Sequence, residues 1–110
     1  MSELVGKKCV PCRGGVPSLP DAEITRLGRE VPRWEVVDGH HLSRRFAFPD
    51  FRQALGFVNR VGELAESEGH HPDVHLGYGG VRIDIWTHKI DGLTESDFIL
   101  AAKIDELPQA

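Results

Sequence analysis

The chain has 110 residues, a net charge of −4 and an apolar share of 40%. That is material for one domain with one ordinary core, and it excludes a disordered class. No basic excess exists to neutralise phosphates, so nucleic acid is not an expected partner, and no apolar run approaches the ~18 residues of a membrane span.

Residues 1–17 read as an amino-terminal arm before a single domain at residues 18–110. Its first residues are too polar for a secretory apolar segment, so a cytoplasmic location is expected. The arm carries Cys9 and Cys12 in Cys-Val-Pro-Cys, among Pro11, Gly14, Gly15 and Pro17. A redox pair of this spacing should follow a strand and open a helix, and a zinc site needs two more ligands. Neither context is present, so a flexible arm with reduced thiols is expected.

Ser18 reads as the N-cap of a first helix, with Pro20 in its first turn and an apolar stripe from Ile24 and Leu27. Pro32 ends it. Residues 34–37 read as a short strand. Asp38-Gly39 then supplies the two positive-φ positions of a tight hairpin, and the return strand covers residues 41–48. Arg44 interrupts its apolar parity, although a guanidinium stem can pack there.

Pro49-Asp50 opens the longest helix. Its expected buried stripe is Phe51, Ala54, Leu55, Val58, Val61, Gly62 and Ala65, with Gly56 and Gly62 as close-packing points. Gly69 is its C′ residue, which leaves His70-His71 in the helix exit and Pro72 stiffening that exit. Residues 74–78 read as a strand, Gly79-Gly80 as a hairpin turn and residues 81–87 as the partner strand. Val81, Ile83 and Ile85 should face the core, with Arg82, Asp84, Trp86 and His88 on the other side. Thr94-Glu-Ser-Asp97 is a capping box for a last helix ending before Pro108, with Phe98, Ala101, Ala102 and Ile104 inward.

The order α-β-β-α-β-β-α predicts an α+β domain, a four-stranded antiparallel sheet with three helices on one face. The other sheet face, expected to carry Trp86 and further aromatics, should be covered by a partner subunit or line a site.

The histidines carry the chemical signal. His40 and His41, beside a hairpin turn, are assigned to the surface. His70, His71 and His88 fall in a helix exit and at a strand end, where imidazoles can give and take protons near neutrality. Glu66, one helical turn before His70, could orient it. Tyr78 and Trp86 could stack on a planar ring. Asp97 has the capping box as its simpler explanation. A metal is not expected: His71 and His75 on one strand lie roughly 13 Å apart, and no Cys or carboxylate set completes a site. No nucleotide fingerprint and no covalent-catalysis motif is present.

Glu66, His70-His71-Pro72, Tyr78, His88 and Asp97, at these gaps, resemble the signature of the pterin-4a-carbinolamine dehydratases. The likeness covers roughly residues 18–107 in the same element order, including the run from Asp91 through Asp97. The resemblance implies dehydration of a 4a-hydroxy-tetrahydropterin without metal or cofactor, in tetrahydropterin recycling. It implies acid/base roles for His70 and His88, pterin binding and help in proton transfer by His71, and support from Glu66 and Asp97. A homodimer or homotetramer and a link to an aromatic amino-acid hydroxylase follow from it too. The alternative is a dehydratase-like protein acting mainly as an assembly or dimerisation partner.

Overall fold

Alternation of apolar and polar residues along two segments produces the two central strands of the sheet. In the computed structural model, which describes residues 3–9 and 17–109, β1 (Glu35–Val37) and β2 (His41–Ala47) form the first hairpin. β3 (Asp73–Gly77) and β4 (Gly80–Ile85) form the second. All pairs are antiparallel, and the sheet order is β1-β2-β4-β3. Leu42 pairs with Ile85, Arg44 with Ile83 and Phe46 with Val81, so the apolar parity of both central strands meets on one face. The helices α1 (Asp21–Gly28), α2 (Phe51–Glu68) and α3 (Glu95–Asp105) cover that face. The expected α+β architecture is therefore the observed one.

Several local expectations change. α1 begins at Asp21 with Pro20, not Ser18, in the N-cap position. The chain before it is held extended: the Leu19 N–H donates to Leu93 O at 2.8 Å, and Ser18 lies against Gly92. The first hairpin turns as expected, with φ of 53° at Asp38 and 63° at Gly39. The second turns at Tyr78-Gly79, one residue early, because Gly80 already pairs with both Gly77 and Ala47. An added Cβ at Gly80 would meet Phe46 O at 2.9 Å.

Asp50 caps α2, accepting the Gln53 N–H at 2.8 Å. Its buried stripe is Ala54, Phe57, Val61 and Ala65, whereas Phe51 and Leu55 are 44% and 41% exposed. The expected stripe was rotated by part of a turn, since Phe57 stacks between Phe46 and Phe48 and fixes which side faces the sheet. An aromatic burial of this kind stabilises by about 2 kcal/mol. Gly56 and Gly62 have no atom near an added Cβ, so they are not close-packing points.

α3 is buried on nearly every side, from Ser96 through Ala102 and again at Ile104. A helix that apolar needs cover all round. Part of the cover comes from the amino terminus, where a 3-10 turn at Glu3–Gly6 packs on α3 and buries Leu4. The described part of the arm is thus docked on its own chain, contrary to the flexible arm expected. Cys12 and the rest of the Cys-x-x-Cys segment lie outside the described residues.

Arg44 is no defect. Its guanidinium lies 4.2 Å over the Phe46 ring and pairs with Asp105, which also accepts the Trp34 Nε1–H at 2.9 Å. The uncovered sheet face is polar rather than aromatic. There Asp84 accepts from Ser43 Oγ at 2.7 Å and Arg82 Nε at 3.2 Å. Phe46 and Phe48, on the apolar parity of β2, are buried under the helices.

Candidate active site

The end of α2 delivers two histidines in opposite directions. Gly69 adopts the left-handed conformation at φ 65°, and its N–H returns to Ala65 O and Glu66 O. Glycine takes that conformation without a Cβ penalty, which lets the chain reverse within one residue. The His70 N–H also bonds Ala65 O, at 3.3 Å, so the residue hangs from the last helical turn. Its ring points inward and is buried, with Nε2 at 2.6 Å from Asp97 Oδ1. His71, one residue on, points outward and pairs with Glu66.

Glu66 therefore partners His71 rather than His70, and the residue that orients His70 is Asp97. The reversal at Gly69 explains the exchange, because it carries the His70 ring off the α2 face and onto α3. Asp97 is fully buried and saturated with donors. Oδ2 accepts Thr87 Oγ1–H at 2.8 Å and the Thr94 N–H at 2.8 Å, which leaves Oδ1 to His70. The capping box forms, and the same carboxylate holds the imidazole. A carboxylate can only accept, so His70 Nε2 carries a proton and Nδ1 holds the lone pair of the neutral ring.

β4 stops at Ile85, and the chain then turns through a bridge between Thr87 and Gly92. His88 opens a 3-10 turn at His88–Ile90 instead of ending a strand. Its ring meets Trp86 edge-on at 4.3 Å, and its Nε2 lies 3.7 Å from Asp73 Oδ1. His70, His71, Trp86, Thr87 and His88 share one cleft of about 300 Å³. Three of the expected histidines and the expected tryptophan are thus brought together. Tyr78 is not: it is 73% exposed in the β3–β4 turn. Pro72 is half-buried and links His71 to β3 without lining the cleft. A larger groove of about 590 Å³ lies by Arg45, His75 and Arg82, but none of the expected site residues lines it. The smaller cleft is where the buried His70 meets the more exposed His71 and His88.

Two features escaped the sequence. Thr87 is 2% exposed and locks Asp97, a role hidden in a residue that read only as the end of a strand. His40 and His41 are not idle surface residues, because both rings pack on Trp86, with centroids 5.4 and 5.7 Å from it. His40 Nε2 lies 2.6 Å from Asp91 Oδ1, and its Nδ1 lies 3.1 Å from His41 Nδ1. With His40 Nε2–H given to the carboxylate, neutral His40 accepts at Nδ1 from His41 Nδ1–H. Trp86 is thereby held between this pair and His88. The signal available was cross-strand position, since His41 precedes Leu42, Trp86 follows Ile85, and Leu42 pairs with Ile85. Among the described residues, no group of three or more His, Cys, Asp or Glu is placed to hold a metal ion. No helix among them is long and apolar enough to cross a membrane.

Comparison with known proteins bears on the family and the fold. The family model described as pterin 4 alpha carbinolamine dehydratase matches residues 17–107. A Rubrobacter xylanophilus protein, provisionally named pterin-4-alpha-carbinolamine dehydratase, is 64% identical over 107 residues, covering 97% of this chain and all of that one. A crystal structure of a transcriptional coactivator/pterin dehydratase from Brucella melitensis superposes with a TM-score of 0.74 at 34% identity, over 80% of this chain and 95% of the other. A pterin dehydratase-like protein identified as a RuBisCO assembly factor in the alpha-carboxysome superposes at 0.54 and 27% identity, over 66% of this chain and 83% of its own.

Proposed function

The chain belongs to the pterin-4-alpha-carbinolamine dehydratase family, and on that premise we propose that it dehydrates a 4a-hydroxy-tetrahydropterin to quinonoid dihydropterin and water. The reaction breaks the bond from carbon 4a to the hydroxyl oxygen and forms a double bond between carbon 4a and nitrogen 5. Hydroxide is a poor leaving group, so an acid must protonate it, and nitrogen 5 must give its proton to a base.

The observation that supports this reading most is the buried His70–Asp97 pair at one wall of the histidine cleft. Asp97 fixes the His70 tautomer and balances the charge when the ring takes a second proton. His70 Nδ1 is then the base for the nitrogen 5 proton. His88 is half exposed and can recover a proton from solvent after delivering one to the leaving hydroxyl. His71, held by Glu66, binds the pterin at the cleft mouth, and Trp86 offers a face to the flat ring. Solvent then carries the proton from base to acid, and the enzyme returns to its starting state.

The test is the dehydration rate of freshly made 4a-hydroxy-tetrahydropterin, followed by ultraviolet absorbance against the uncatalysed rate. Wild-type protein should accelerate it, and His70→Ala should remove about 10²-fold or more of that acceleration while the fold persists. No acceleration by folded wild-type protein, or full acceleration by His70→Ala, rejects the reading.

A second reading has one observation in its favour. Phe51 and Leu55 stand exposed one turn apart on α2, a patch suited to another protein or another copy of this chain. Homodimer or homotetramer formation, and any assembly role or link to a pterin-dependent hydroxylase, belong to this reading. Binding through that patch should survive His70→Ala, whereas catalysis should not. The tetrahydropterin-recycling role and a cytoplasmic location are part of the same proposal.

A further inference from the structure

At the end of α2 lies an ion pair the chemistry above does not use. Glu68 is the last residue of α2, and its side chain is 6% exposed. Its Oε2 lies 2.8 Å from Lys103 Nζ on α3, whose side chain is 15% exposed. Its Oε1 accepts the backbone N–H of Cys9 at 3.0 Å. The Cys9 thiol in turn donates to Ser96 O at 3.5 Å, and Lys7 pairs with Glu95 at 3.0 Å. The docked amino-terminal segment thus touches the last residue of α2 and the first turn of α3. Those are the two places from which His70 and Asp97 project: Glu68 stands two residues before His70, and Ser96 immediately before Asp97.

We propose that Glu68 is a positioning residue for the His70–Asp97 pair, acting through a clamp with Lys103 and the Cys9 backbone. The inference rests on the dehydratase reading only for its kinetic readout. Its physical basis is that a 2.6 Å hydrogen bond between a side chain just past the end of α2 and one in the first turn of α3 needs both helix ends fixed. Gly69, in the left-handed conformation, is a soft joint between α2 and His70. An ion pair one residue before that joint removes the freedom of the helix end.

The charge states agree with the clamp. Burial alone would push the Glu68 carboxyl up, but the Lys103 ammonium and the Cys9 N–H hold it below the ordinary range. Burial and the Glu68 carboxylate push the Cys9 thiol up to about 12. It therefore stays a neutral donor to Ser96 and is a poor nucleophile. The residue's contribution is its place in the clamp, not thiol chemistry.

The experiment compares full-length wild-type protein with Glu68→Gln. Two readouts are taken: kcat and KM for the pterin, and the downfield proton resonance of the short His70–Asp97 hydrogen bond by NMR. Glu68→Gln should lower kcat about tenfold or more with KM changed less than about threefold, since a small misplacement at reacting groups is costly. The His70 proton resonance should shift or vanish. A variant that is folded but less heat-stable, with kcat and the resonance both unmoved, overturns the clamp and leaves Glu68 merely structural. If wild-type protein shows no dehydration, the dehydratase reading fails and the resonance alone decides the clamp. Should Glu68→Gln not fold, Glu68→Gln with Lys103→Gln keeps a neutral hydrogen-bonded pair and carries the same two readouts.

Discussion

Two consecutive histidines each meet a carboxylate, yet the two pairs are different objects. His70–Asp97 has side chains 10% and 0% exposed, whereas His71–Glu66 has side chains 57% and 75% exposed. The first is wired into the capping of α3 through Thr87 and Thr94. The second is a contact in water, where attraction is screened and side-chain freedom opposes it. Identical chemistry therefore yields a fixed ring in one case and an adaptable ring in the other. A fixed ring suits proton transfer at a defined atom, and an adaptable ring suits holding a substrate that comes and goes.

The largest effect should come from breaking the buried side. Asp97→Asn puts an amide where three donors converge on one carboxylate. Its NH2 must face at least one of them, so either the Thr87 or Thr94 donor is left unmatched or His70 is forced into the tautomer that accepts at Nε2. A loss of about 3 kcal/mol is expected in urea unfolding, together with a fall in kcat of about 10²-fold or more. A variant as stable and active as wild type would show that the buried pair holds neither the helix start nor the ring.

The second test sets Glu68 against Glu66, two residues apart in α2. Glu68 is buried with Lys103, and its carboxyl is held below the ordinary value of 4.5. A lowered folded-state pKa contributes stability that is complete above the unfolded value and lost as pH falls through the folded one. Glu68→Gln should cost about 3 kcal/mol at pH 7, because it leaves the Lys103 ammonium without its counter-charge. The gap between wild type and variant should narrow as pH falls below about 4.5. Urea unfolding of both proteins from pH 7 to pH 3 measures it, and a gap that stays constant through that range contradicts an ionised clamp.

The sequence carried the parts of this fold that repeat at fixed spacing or need a special backbone. Asp38-Gly39, Gly69 and the Thr94–Asp97 box did so because positive φ and capping leave few residue choices. The apolar parities of β2 and β4 did so because strand alternation is unambiguous when one face is buried. The α2 stripe was less legible, since Phe51, Leu55 and Val58 satisfy helical spacing as well as Ala54, Phe57 and Val61 do. Only the Phe46 and Phe48 rings select between the two sets. In the site, the histidines could be found from their positions, but their carboxylates could not be assigned. That assignment depends on which way the chain leaves Gly69, a three-dimensional fact. Docking of residues 3–9 was hidden for a related reason: the run from Phe98 through Ala102 has no polar face, but nothing local says what covers it.

The smallest effect tests the exposed side of the comparison. Glu66→Gln removes a carboxylate that is 75% exposed and whose only described partner is His71. An ion pair in that setting is worth about 0–1 kcal/mol, so unfolding midpoints should move little. If His71 holds the pterin, KM should rise severalfold while kcat stays within about twofold, because binding weakens without loss of the proton-transfer groups. The wild-type advantage in KM should also shrink with added salt, since the pair is within reach of counterions. Parallel measurements at low and high ionic strength check this. A fall in kcat as large as that of Asp97→Asn would mean that the exposed pair, too, holds a ring in place for chemistry, and the division between a fixed and an adaptable histidine would be wrong.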